Sequence, residues 1–333
     1  MTSEIKARDQ SQDQDQNKKT QLNFSLRTIV ISHYNEKARW ALDYYRIPYV
    51  EHRSLPGLHM ISMFKHQASS RPSPTNTRCV TPYLSAVPDS SAAGDLANEV
   101  KLHDSTQIAE FLSDQYAAPP NSKQSDSSSS SSSSGPRPNL YSNDAATKAK
   151  ILALEERFGK MIGPHVRIYV YNEVLRHSPK SVGRAMGQND NVGRLQTWIW
   201  TLFFGLFSWV LVKSLHINDK SAARSKEILR REFEHISRVL ESGPPGPAYL
   251  VGNQFTAADL TLASLAGAAV GIGREDGYGA WVPQLTKARP EAQAFCEELR
   301  QTTAGKHILE CYKLHRGEKA PGSSYGYSFF GLW

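Results

Sequence analysis

An unbroken run of serines, Ser127 to Ser134, most limits how this 333-residue chain can fold. With its flanks, Ala117 to Pro138, it carries too few apolar side chains to bury, so the segment reads as a flexible linker. Cores must form on either side of it, and the chain is long enough for two domains of ordinary size. The two sides differ in pattern.

Ahead of the linker the periodicity changes repeatedly. Thr28 to Ser32 reads as a strand, and residues 35–46 as a helix with Ala38, Ala41, Leu42 and Tyr45 on one face. Ile47-Pro48 stops that helix. Strands follow at Tyr49 to Arg53, Pro82 to Val87 and Glu99 to His103. Leu58 to Thr77 is weakly patterned, Pro88 to Asn98 has hairpin composition, and Ser105 to Tyr116 is a helix with Ile108, Ala109, Phe111 and Leu112 inward. A βαβ unit followed by a hairpin and a helix makes a compact α/β layer.

Behind the linker every pattern is helical: Asp144 to Lys160, Thr197 to Leu215, Lys220 to Glu241, Thr256 to Val270, and one or two helices within Pro290 to Leu314. The expected organisation is a disordered tail over 1–24, an α/β domain over 25–117, a linker over 118–139, an all-α domain over 140–317 and a tail over 318–333. The first tail is polar, has no apolar signal core, and carries Glu4, Asp9, Asp13 and Asp15, which do not suit a transit peptide.

The net charge of +7 comes without a dense basic run, so it describes a solvated basic surface and gives no case for nucleic acid. Cys79, Cys296 and Cys311 are scattered and odd in number, with neither a disulfide ladder nor zinc spacing. A reducing, cytoplasmic compartment and no metal are the expectation.

The stretch TIVISHYNEKARWALDYY, Thr28 to Tyr45, runs a β-branched strand into a helix start. Backbone N–H groups and the helix dipole at such a junction can hold an anion or favour a thiolate. Ser32 can donate to a thiolate or simply cap the helix, and His33 and Tyr34 are alternatives. No acid is spaced for a Ser–His–acid triad. Thr81-Pro82 opens a strand, where the proline is either cis, with backbone groups open to an extended peptide, or an ordinary trans residue. Asp104-Ser105 opens a helix, as an N-cap pair or as a site for a carboxylate and an amine. Thr256 and Asp259 form a capping box with a structural role. Residues 197–215 approach membrane-spanning length. We read them as a buried helix of the second domain, with a membrane span, a membrane-surface contact or a partner contact as alternatives.

Together these motifs resemble the glutathione S-transferase superfamily across most of residues 27–316. SHYNEKARWALDYYRIPY is similar to that family's first loop and helix, VTPYL to its cis-proline strand, LHDSTQIAEFL to its acidic-Ser motif, and YLVGNQFTAADLTLASL to its capping-box helix. The stretch from the apolar helix to TTAGKHILECYKLHR is similar to a less-studied branch. The resemblance implies a thioredoxin-like α/β N-terminal domain, an all-α C-terminal helical bundle, and a homodimer.

It also implies a detoxifying glutathione transferase, with glutathione as co-substrate and a hydrophobic small-molecule electrophile as its partner. Ser32 would then be catalytic, donating to the glutathione sulfur. Thr81, next to Pro82, would pair with the cysteinyl backbone, and Asp104 and Ser105 would bind the γ-glutamyl amine and carboxylate. His59 and Lys65 fall in the region that meets the glycyl end, and Phe158, Ile162 and Tyr169 would line the electrophile pocket. The chain departs from the pattern at His33, where many members have proline, at Asn35, and in the longer Phe64–Arg78 and Pro88–Asn98 stretches. Serine at 32 cannot form a mixed disulfide, which favours conjugation over thiol–disulfide exchange. The second reading is a non-catalytic interaction or membrane-surface protein on the same fold.

Overall fold

A computed structural model describes residues 22–61, 63, 80–88, 99–118, 137–242 and 249–326. The expected leading tail up to Gln21, Lys65, Cys79, the Asp89–Asn98 stretch, the serine linker and the last seven residues lie outside them.

Strand β1 (Leu22–Ile29) starts earlier than its sequence pattern suggests and turns Phe24, Leu26 and Thr28 inward. Helix α1 (His33–Tyr44) follows, then β2 (Tyr49–Ser54), β3 (Tyr83–Pro88), β4 (Val100–Leu102) and α2 (Ser105–Tyr116). β1 runs parallel to β2 and antiparallel to β3, which pairs antiparallel with β4. This mixed sheet with its helices is the expected thioredoxin-like layer.

The sheet has one further strand. Ser324–Gly326, within the stretch read as a tail, forms β5 and pairs parallel with Val50–His52 at the free edge of β2. Three residues carry too little pattern to announce a strand. What holds them is pairing to an edge that would otherwise leave backbone groups open.

The helical part comprises α3 (Ala145–Met161), α4 (Gly163–Asn172), α5 (Lys180–Ala185), α6 (Asn189–Ser214), α7 (Asp219–Glu241), α8 (Ala257–Ala266), α9 (Pro290–Gln301) and α10 (Thr303–Cys311). α4 and α5 had no sequence expectation; Pro164 sits in the first turn of α4, where its missing N–H costs nothing. The Thr256–Asp259 capping box is present. The Asp259 carboxylate also accepts from the Leu250 N–H and meets His307 Nε2, so one buried acid joins α8, α10 and the preceding loop.

The expectation of a buried helix at 197–215 is overturned. Trp198, Leu202, Leu206 and Trp209 on α6 are about 60% exposed (63, 59, 57 and 61%). Only one side of α6 packs: Trp200 and Phe204 are buried, and Gly183 and Gly187 leave room for their rings.

α1 lies between the sheet layer and α8, with almost every side chain buried, including Glu36, Arg39 and Asp43. Their charges are matched in place. Arg39 pairs with Glu36 (2.8 Å) and Glu51 (2.7 Å), and Arg53 also pairs with Glu51 (2.8 Å). Arg316, from the end of the helical part, pairs with Glu36 (2.8 Å) and Asp43 (3.0 Å). Three acids and three arginines thus neutralise one another where a lone buried charge would cost several kcal/mol. The network fixes the C-terminal segment on α1 and so fixes the helix that begins at Ser32.

Candidate active site

Ser32 is the N-cap of α1, in extended conformation (φ −77°, ψ 129°), and its side chain makes no capping hydrogen bond. Its backbone N–H donates to Ile29 O at 2.9 Å, closing the turn between strand and helix. Ser32 is half-buried, and its hydroxyl stands at a helix N-terminus without capping it.

The other two candidates at this junction are differently placed. His33 is buried, and burial, with Arg167 nearby, pushes its pKa down to about 3, so it is neutral at physiological pH. Tyr34 donates its hydroxyl to Gly159 O at 3.0 Å. Burial raises its pKa, so it is a poor source of a phenolate. Its ring end fills the space left by Gly163, where a Cβ would collide with the hydroxyl.

The Thr81–Pro82 peptide is cis, as one of the two sequence readings has it. Thr81 is tied to α1, because Asn35 Nδ2 donates to Ile29 O (3.1 Å) and lies 3.3 Å from Thr81 Oγ1. Sequence reasoning noted Asn35 only as a departure. An Asn three residues past a Ser N-cap gave no signal that it would reach a proline turn 46 residues away.

Asp104 is the N-cap of α2, and its Oδ1 accepts from the N–H groups of Thr106 (2.7 Å) and Gln107 (3.4 Å). The capping reading of Asp104 is thus observed, and the carboxylate remains exposed. Ser105 beside it is buried. Both line a cavity of about 380 Å³ between the start of α2, Tyr34 and Lys37 on α1, Glu155, Glu156 and Lys160 on α3, and Thr261 on α8. In its wall Lys37 Nζ pairs with Glu155 Oε1 (2.6 Å) and donates to Thr106 Oγ1 (2.6 Å). The same Glu155 oxygen accepts from Tyr141 (3.1 Å) and Thr261 (2.8 Å), while its buried Oε2 has no hydrogen-bond partner among the described residues. The cavity therefore offers donors and acceptors of both charges. Lys37 and Glu155 were not anticipated, since single charges on helix faces look like solvated surface.

Ser32, Thr81 and Pro82 do not line this cavity. They join it only through α1: Ser32 begins that helix, Asn35 holds Thr81, and Tyr34 and Lys37 reach the cavity. His59 Nδ1 accepts from the Gly57 N–H at 3.1 Å. Phe158, Ile162 and Tyr169 do not line a pocket for an electrophile. All three are core residues, Tyr169 packing edge-on to Phe295 at 4.9 Å. The adjoining face of α3 that meets the cavity carries Leu152, Glu155, Glu156 and Gly159 instead. No cluster of His, Cys, Asp and Glu fit for a metal occurs among the described residues.

Residues 26–120 match the family model of the glutathione S-transferase N-terminal domain. The first part of the chain is a domain of the glutathione S-transferase superfamily. No curated protein matches significantly.

Solved structures similar to the chain include poplar glutathione transferase F1 (14% identical, TM-score 0.45, 87% of this chain and 98% of that one). FzlA from C. crescentus is 16% identical (TM-score 0.43, 93% and 99%). Maleylacetoacetate isomerase from Anaeromyxobacter dehalogenans 2CP-1, with glutathione bound in its active site, is 15% identical (TM-score 0.38, 91% and 100%).

Proposed function

We propose that the protein is a glutathione transferase that adds the glutathione thiolate to a hydrophobic electrophile. The observation that carries the reading is the unused Ser32 hydroxyl at the N-terminus of α1. A thiol with a pKa near 9 needs only about 2–3 kcal/mol of differential stabilisation to ionise near neutrality. One hydroxyl donor and the positive end of a helix supply interactions of that size.

The γ-glutamyl end of glutathione is a zwitterion. It suits the cavity at Asp104 and Ser105, where Lys37, Lys160 and the α2 N-terminus face Glu155 and Glu156. The cysteinyl backbone would lie along Thr81 at the cis-proline turn. The thiolate then attacks the electrophile: the new C–S bond forms as a halide leaves an aryl ring, as the C–O bond of an epoxide opens and its oxygen takes a proton from water, or as an enone's electron pair passes to the carbon next to its carbonyl, which takes a proton from water; Ser32 then releases its hydrogen bond. A cytoplasmic, detoxifying role accords with this chemistry. A non-catalytic interaction protein is the second reading, favoured by the exposed apolar face of α6.

The test is the rate at which full-length protein accelerates conjugation of glutathione to an activated aryl halide. Acceleration that saturates with glutathione supports the enzyme. No acceleration across aryl halides, enones and epoxides contradicts it and leaves the interaction reading.

A further inference from the structure

α6 is the one described helix long and apolar enough to cross a membrane, and only 17% of its apolar window is buried. A core helix would be mostly buried, and a signal sequence would lie near the N-terminus; α6 is neither. α6 is not straight: Gly193 (φ 76°, ψ 165°) breaks it near its start and Phe203 (φ −103°, ψ 16°) kinks it midway. Its exposed side chains, Leu195, Trp198, Leu202, Leu206 and Trp209, repeat at three- and four-residue spacing on both sides of that kink, with Phe203 and Val210 also exposed. Phe207, which stacks on the buried Trp200, lies against Gly57. Soluble monomers rarely leave so broad an apolar surface in water.

Two observations say what covers it. The first is charge. Arg194 precedes the stripe and shares a face with Trp198, four residues on; Lys213 ends it, four residues after Trp209. From Lys180 to Arg224 the cations are Lys180, Arg184, Arg194, Lys213, Lys220 and Arg224, while the acids are Asp190 and Asp219. Both acids are paired, Asp190 with Arg274 (3.3 Å) and Asp219 with Arg176 (2.8 Å). An apolar stripe with tryptophans within it and cations at both ends matches an acyl layer beneath anionic headgroups.

The second is how α6 is held. Gln196 exchanges hydrogen bonds with the end of β2, donating to Arg53 O (2.9 Å) and accepting from Leu55 N (3.2 Å). Trp200 Nε1 donates to Gly183 O (3.2 Å), and its ring stacks on Phe207 at 5.4 Å. Asn191 donates to Met186 O and Trp281 O. One side of the helix is thus fixed along the body, leaving it no freedom to insert end-on.

The geometry points to α6 as an in-plane membrane anchor: the stripe from Leu195 to Val210 sinks into the surface of an anionic bilayer, while Arg194 and Lys213 hold its headgroups. The anchor stands independently of conjugation activity.

The test is flotation of full-length protein with vesicles of phosphatidylcholine alone and of phosphatidylcholine mixed with phosphatidylserine, alongside sedimentation of the protein by itself. Binding to the anionic vesicles that weakens with salt and is released by alkaline carbonate is expected. Trp198→Glu with Leu206→Glu should abolish it, and Arg194→Gln with Lys213→Gln should weaken it about fivefold per charge. These side chains are exposed, so thermal stability should not change. Failure to float with either vesicle overturns the proposal. Carbonate-resistant insertion overturns the in-plane geometry, and a dimer dissolved by the Glu pair, with vesicle binding unchanged, assigns the face to a second copy of this chain.

Discussion

Asn35 Nδ2 lies 3.3 Å from Thr81 Oγ1 and 3.1 Å from Ile29 O, so one buried amide ties the first helix to the cis-proline turn and to the strand before it. Ser32 and Thr81, which the proposed reaction needs on opposite sides of one cysteinyl group, keep their spacing through this side chain. Asn35→Ala should raise KM for glutathione about fivefold, by loss of roughly 1 kcal/mol of positioning, while kcat falls less. Initial rates across a glutathione series check the split; an equal fall in kcat with unchanged KM would contradict it.

Ser32→Ala removes a hydroxyl that supports nothing in the fold. Turnover should fall by about 100-fold, the scale for one donor to a developing anion, with the melting temperature unchanged. Stopped-flow conjugation assays and calorimetric melting test both halves. A variant that melts early, or one that keeps its rate, removes Ser32 from the catalytic role.

Arg316→Met leaves Glu36 and Asp43 buried without their shared cation. Breaking one member of such a network should cost about 3–5 kcal/mol. It should also loosen the C-terminal segment, where Ala320 N donates to Asp43 at 2.9 Å and β5 begins four residues later. Urea unfolding gives the first quantity, and proteolysis near residue 318 the second.

His33 gives the protein an acid-sensitive step of definite sign. Its pKa is about 3 in the folded protein, against an ordinary value of 6.5. Below 6.5 the unfolded chain binds a proton that the folded chain refuses, so stability falls as pH drops from 6.5 towards 3. Burial also pushes His315 down, to about 4, in the same direction. Glu51 is displaced lower in pH. Despite its burial, Arg39 and Arg53 hold it at about 2, so its stabilisation is present above 4.5 and is lost between there and 2. Melting temperatures from pH 7 to pH 4 should slope downward, and His33→Phe should flatten part of that slope. An unchanged slope would mean that His33 takes its proton in the folded state.

The α/β layer was legible because its strands alternate and its helices carry apolar stripes and stop signals; α2 runs over Ser105–Tyr116 as its pattern indicates. The cap at Asp104 and the box at Thr256 and Asp259 were legible for the same local reason, since a cap is settled within four residues. What was hidden is long-range. Glu36, Arg39 and Asp43 look like a wet helix face, and it takes Glu51 and Arg53 from β2 and Arg316, 280 residues after Glu36, to make them a buried network. Phe158, Ile162 and Tyr169 are apolar enough for either core or pocket, and the packing of α7 on both α3 and α4, with Phe295 of α9 against Tyr169, decides for core. Composition alone favoured burial for α6, because nothing in its own sequence tells how little of the body lies beneath it.

Glutathione binding carries the proposed function, and calorimetric titration of full-length protein with reduced glutathione tests it most directly. The account predicts saturable heat, lost when Asp104 and Ser105 are both replaced by alanine. The double variant should stay folded at a cost near 1 kcal/mol for the missing cap. Absence of heat together with no thermal stabilisation at saturating glutathione would contradict it.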